Sequence, residues 1–177
     1  MVTVLQPMWT EQVYPPRGGQ DHLGIGSVVT DKILPALSPG INVLTPHPRY
    51  WSFYSFVVDE FWRRDLPRTS AELRRFLRHK ESIFSIAGHL CEHAGEDNHP
   101  NPIGSRRVGP LVQQGLSKYA ATFQYMKSNG GGYGLYYGTA MQTTGVVRLA
   151  DRDLGLPVDA VTPNVGRNVA DAFRSAI

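Results

Sequence analysis

Pro48-Arg-Tyr-Trp-Ser-Phe-Tyr-Ser-Phe-Val-Val-Asp-Glu-Phe-Trp-Arg-Arg64 is the stretch on which the fold of this chain turns. Proline suits the first turn of a helix, where its missing N–H is not needed. Tyr50, Phe53, Tyr54, Val57, Val58 and Phe61 then recur at spacings of three and four, the pattern of one helix face. Trp51, Phe56 and Trp62 widen that face. The helix is therefore expected to be covered on more than one side and to form the spine of the core.

Toward the N-terminus the chain is rich in turn residues. Pro46 and Pro48 push Thr45 and His47 out of the α region and make a rigid entry to the helix. His47 and Arg49 sit at that entry, where a functional loop is conceivable. The plainer reading is a rigid crossing with Arg49 paired inside the fold. Ser38-Pro39-Gly40 closes a short helix expected over 31–37, capped by Ser27 or Thr30. Gly24 and Gly26 mark a tight turn. They lack the third glycine and the preceding strand of a dinucleotide-binding loop, and no Gly-Lys-Ser/Thr is present. Residues 1–20, with Pro7, Pro15, Pro16 and Gly18-Gly19, form an expected extended arm that Trp9 and Tyr14 could anchor.

Toward the C-terminus, Asp65-Leu66-Pro67 breaks the spine helix. Thr69 and Glu72 have capping-box spacing, so a helix is expected from Ser70 to about His79, and another over 81–93. Residues 94–108 are polar and punctuated by Gly and Pro, the composition of a surface loop. A helix over about 109–129 would end at Gly130-Gly131-Gly132. Tyr133 to Thr143 is expected to be a short helix or irregular. Val146–Leu149 and Val158–Thr162 are expected strands around a turn at Asp151–Gly155, and Thr162-Pro163 opens a last helix. The expected fold is mainly α, with a small C-terminal β-hairpin. Its parts are an arm (1–20), a helical domain (21–129) and a winged-helix-like segment (130–177). The sequence stops at Ile177 within the last helix, without a capping glycine or polar tail, so a longer natural chain is expected.

Composition narrows the class. Across 177 residues the chain is 41% hydrophobic and 19% charged, a globular balance. No apolar run approaches the roughly 20 residues of a membrane helix. The opening residues lack the basic and apolar regions of a secretory signal. A single cysteine, Cys91, excludes an internal disulfide and makes a reducing cytoplasm the expected location.

Net charge is only +3, but it is unevenly placed. Arg63, Arg64, Arg68, Arg74, Arg75, Arg78 and Lys80 crowd one short run against Asp65 and Glu72. Guanidinium groups offer forked donors suited to phosphate oxygens, so this run is the leading candidate for nucleic-acid contact. A solvated helix face or a protein interface would use the same residues. Arg148, Arg152 and Arg167, on the hairpin and last helix, are further phosphate candidates, although Asp151, Asp153 and Asp159 interleave with them.

Other constellations are weaker. His89, Cys91, His93 and His99 form a metal-like cluster, and His89 and His93 are one helical turn apart. Cys91 falls on the far side of that helix, and no Cys-x-x-Cys completes a set of four ligands. With Glu92, Glu96 and Asp97 nearby, a hydrolytic site with His93 or His99 as base, or Cys91 as nucleophile, can be drawn. The plainer reading is a packed cysteine among surface histidines. The run Gly130–Gly134 could approach a ligand with its backbone, or simply end one helix and free the next. No cofactor and no metal are expected.

Asp21-His-Leu-Gly-Ile-Gly-Ser27, Leu37-Ser-Pro-Gly40 and Arg49-Tyr50 with Phe53 resemble the N-terminal region of a broad group of uncharacterised bacterial proteins. That group occurs beside helicases and other genes of mobile anti-phage defence clusters. Val161-Thr-Pro-Asn-Val-Gly-Arg167 resembles winged-helix proteins. The resemblance implies the N-terminal part of a longer defence protein and supplies no catalytic residues. The expected function is a non-catalytic recognition or assembly module that binds nucleic acid, DNA rather than RNA, through its basic helical face. One alternative is an interaction subunit that docks a helicase or nuclease. Another is a metal- or thiol-dependent hydrolase around His89–His99.

Overall fold

The structure is a computed structural model that describes residues 28, 32–37, 45, 47–93, 105–113 and 127–177. The chain divides after Leu37 into two units. In the first, the described residues include one short helix, α1 (Leu34–Leu37). The expected arm and the glycine turn at 24–26 lie outside the described residues.

In the second unit the aromatic stretch is a helix, α2 (Pro48–Arg63). His47 precedes it with φ −98° and ψ 108°, the extended geometry that a following proline imposes. The Trp51 indole N–H donates to the Thr45 carbonyl at 3.3 Å, pinning the entry. Tyr50, Phe53, Tyr54, Val57, Val58 and Phe61 are all buried, as their spacing predicts. So is Asp59, which the apolar pattern did not mark.

Two expected helices are one: α3 runs unbroken from Ser70 to His93. Neither Gly nor Pro lies between Ser70 and Ala87, so nothing in the backbone interrupts it. Leu73, Leu77, Glu81 and Ser85 recur every fourth residue and are all buried, so one stripe faces inward across the proposed break. Only half of the capping box forms. The Glu72 N–H donates to Thr69 Oγ1 at 3.2 Å, while the Glu72 carboxylate pairs with Arg75 instead.

α4 (Ser105–Val112) begins inside the expected loop and keeps Pro110 within it. Gly109 lets it approach α3, since a Cβ there would lie 3.3 Å from the His89 ring. Residues 114–126, where a longer helix was expected, lie outside the described residues. Gly131 has φ +63°, a geometry glycine adopts without strain, and the helix it was expected to end lies outside the described residues. Tyr133–Tyr137 then form one π-helical turn that leads into α5 (Gly138–Thr143).

β1 (Val147–Arg148) and β2 (Ala160–Val161) pair antiparallel, with Val147 opposite Val161. They are shorter than the expected strands. The turn between them is built by Asp151, whose Oδ1 accepts the N–H groups of Asp153 and Leu154, and by Gly155 at φ +66°. α6 (Val165–Ala176) follows. Thr162 Oγ1 accepts the Gly166 N–H at 2.9 Å and donates to the Gly145 carbonyl at 2.7 Å, joining the start of α6 to the hairpin. The expected class therefore holds: a mainly helical fold with a small antiparallel hairpin near the C-terminus.

The core is aromatic. Phe53 stacks on Phe84 at 4.2 Å, and Tyr54 lies between Tyr133 and Tyr137 at 5.4 and 5.2 Å. Phe173 of α6 meets Phe56 at 5.2 Å. Each such pair contributes about 0.5–1.5 kcal/mol beyond its buried area. α6 is also fastened by charge. Asp59 accepts from Arg63 Nε and Arg174 Nη2, each at 2.6 Å. Burial pushes the Asp59 carboxyl up, and the hydrogen bonds from Arg174 and Arg63 outweigh it, so the group titrates below the ordinary carboxylate value.

Candidate nucleic-acid interface and the cleft beside it

The basic run from Arg63 to Lys80 spans the end of α2, a six-residue connection (64–69) and the first half of α3. Its members do different things. Arg68 turns back onto α2 and donates to the carbonyls of Phe61, Trp62 and Arg64 at 2.6, 2.7 and 2.9 Å. These carbonyls lie where the intrahelical ladder of α2 runs out, so Arg68 acts as a cap beside the short backbone bonds to Phe61 and Arg64. Its guanidinium also lies over the Phe61 and Trp62 rings. Arg63 holds Asp59, and Arg64 pairs with Glu60 at 3.0 Å. Arg78 donates to the Ser128 carbonyl at 3.1 Å. Lys80 places its ammonium 5.6 Å from the Phe76 ring.

Arg63 and Arg64 remain about half exposed beside their carboxylates, and on α3 Arg74 and Arg75 project outward. Arg75 is 77% exposed and pairs with Glu72 at 2.6 Å. Arg74 is exposed and makes no ion pair among the described residues. The second set of candidates is freer. Arg148, Arg152 and Arg167 are all exposed, and none pairs with a carboxylate among the described residues. In β1, Val147 points inward and Arg148 outward. Asp151 Oδ1 accepts N–H groups of its own turn, and Asp151 forms no ion pair with these arginines. Asp159 is likewise held inside the fold. Its Oδ2 accepts the Tyr133 hydroxyl at 2.8 Å, and its Oδ1 accepts the Ala150 N–H at 2.8 Å.

Glu81 is a residue that the sequence reading passed over. It is 2% exposed. Its Oε1 accepts the Tyr133 N–H at 2.9 Å, and it also bonds the Gly132 N–H and the Tyr54 hydroxyl. Burial pushes its carboxyl up to about 7 against the pull of these donors and of Arg78. Placing Glu81 at the start of a new helix hid its position on the stripe of Leu73 and Leu77. That four-residue spacing was the available signal.

Beside this network lies a cleft of about 280 Å³. Leu73, Leu77, Tyr133 and Val158 line it from the core side, and Ser70, Arg74, Gly130, Gly134 and Asp159 complete it. It brings together the start of α3, the glycine run and the hairpin, three segments far apart in sequence.

The His/Cys candidates do not assemble among the described residues. No three His, Cys, Asp or Glu side chains there lie close enough to share a metal ion. His89 packs against Gly109 of α4, and Cys91 is half-buried. His99, Glu96, Asp97 and the side chains of Glu92 and His93 lie outside the described residues. No helix among the described residues is long and apolar enough to cross a membrane. No protein-family model, curated protein or solved structure matches this chain.

Proposed function

We propose that this protein is a nucleic-acid-binding module that contacts phosphate through exposed arginines on α3 and on the hairpin with its following helix. The observation that carries this reading is the set Arg74, Arg148, Arg152 and Arg167. All four are exposed and make no ion pair among the described residues, in a fold that pairs Arg63, Arg64 and Arg174 with carboxylates. Unneutralised guanidinium groups release counterions on meeting a phosphate backbone, and this release drives sequence-tolerant binding. DNA is the expected polymer, with the hairpin acting as a wing. A place in anti-phage defence rests on the resemblance of residues 21–64 alone.

The test is duplex DNA binding followed by fluorescence anisotropy across salt concentrations. Affinity should fall steeply with salt. R74E/R75E is the appropriate variant, because both side chains are exposed and Arg78 is engaged with Ser128. It should bind at least about tenfold more weakly and reduce the salt slope by about 2. Unchanged affinity and slope, in a protein of unchanged melting temperature, would dismiss the reading.

A further inference from the structure

We infer that the cleft between the start of α3, the glycine run and the hairpin is a binding site for a single nucleotide. This inference rests on the nucleic-acid reading and names what one part of that surface takes. Four features of the cleft argue for it.

Its volume, about 280 Å³, is of the order of one small ligand rather than a helix or an extended strand. The core side is apolar where Leu73, Leu77 and Val158 meet it, so it suits the face of a flat ring. Its two charged residues are of opposite sign. Arg74 is exposed and without an ion-pair partner among the described residues, and its fork matches a phosphate. Asp159 already accepts one hydrogen bond on each oxygen, and a carboxylate has capacity for about four. It can accept further N–H groups, and the exocyclic amines of adenine, cytosine and guanine supply two each where uracil offers a single imide N–H. Finally, Gly134 leaves open space where a side chain would stand, for a Cβ there meets nothing within 4 Å. It sits in the π-helical turn, a feature often found at functional sites.

A simple anion does not fit this combination, because the Asp159 carboxylate would repel it. A ligand that carries both a phosphate and an amine-bearing ring uses both charged groups and the apolar wall of the cleft. The source of that ligand is either a free nucleotide or an unpaired nucleotide of a bound strand.

The experiment titrates the full chain with AMP, CMP, GMP, UMP and inorganic phosphate, followed by NMR or calorimetry. A short single strand and a blunt duplex are titrated beside them. AMP, CMP and GMP should bind more tightly than UMP, and phosphate alone should bind at least about tenfold more weakly than any of the three. G134L should fill the cleft and abolish nucleotide binding while leaving duplex affinity unchanged. R74A, at an exposed position, should weaken every mononucleotide without altering the melting temperature. D159N should erase the preference over UMP. Competition between AMP and the single strand would assign the ligand to a strand, and its absence to a free nucleotide. Nucleotide binding that survives both G134L and R74A would overturn the inference. So would failure of all four nucleotides to bind while the duplex still does, and in that case the phosphate reading of α3 stands. Loss of duplex binding as well would remove both.

Discussion

Single residues here divide into those that hold the fold and those that are free to act, and chemistry alone does not distinguish them. Arg68 and Arg74 lie six positions apart in one basic run. One fastens three carbonyls at the end of α2, and the other makes no ion pair among the described residues. Charge clustering made them equivalent because spacing does not reveal that the chain reverses at Pro67 and aims Arg68 backward. Gly166 is the sharpest case on the structural side. A Cβ at that position would lie 2.0 Å from the Val146 carbonyl oxygen and 3.0 Å from Val161 Cβ. The obstacle is backbone, which cannot step aside as a flexible side chain can. Gly166→Ala should therefore destabilise the protein by about 3 kcal/mol, despite the better helix propensity of alanine. Urea unfolding checks this, and a variant as stable as the parent would show that α6 stands further from the hairpin than described.

At the scale of elements, α3 and the turn it supports are linked by Glu81. The carboxylate of one helix accepts the N–H groups that open the π-helical turn of another. Its proton affinity is raised in the folded chain, to about 7 from an ordinary 4.5. The folded state therefore binds more protons than the unfolded state between those values, and stability declines as pH rises through that window. Between pH 5 and pH 8 the loss is expected to be of the order of 2–3 kcal/mol. Glu81→Gln keeps an acceptor for Tyr133 and cannot ionise, so its stability should lack this decline. Denaturant midpoints across that range decide the matter, and parallel profiles for the two proteins would count against it. The elements themselves were largely legible. The spine helix, the hairpin turn at Asp151–Gly155 and the last helix follow from spacing and turn chemistry. The long α3 was not, because a polar residue on an apolar stripe looks like the end of a helix until its buried partners are known. The cleft was invisible for a further reason. Its walls come from residues 70–77, 130–134 and 158–159, and only tertiary packing brings those together.

For the whole molecule, two buried carboxylates bias stability in opposite directions. Asp59 titrates below its ordinary value, so its contribution is present at neutral pH and is lost as pH falls through the acidic carboxylate range. Glu81 acts on the alkaline side. Together they place the stability maximum at mildly acidic pH, below the usual span of about 5 to 8 or at its lower end. Asp59→Asn should lower stability at pH 6 by about 2 kcal/mol, because Arg63 and Arg174 remain partly exposed and water takes up some of the loss. Its deficit should shrink at pH 3, which thermal melts at the two values measure. A deficit independent of pH would mean that Asp59 acts by shape and not by charge. The Asp59–Arg174 bond has a consequence for how the chain is made. Its partners are 115 residues apart. At roughly 5–20 residues per second, Asp59 is synthesised about 6–23 s before Arg174, its partner on α6. Throughout that interval the aromatic face of the spine helix has no α6 to cover it, so the newborn chain is open to chaperones and to aggregation until α6 is made.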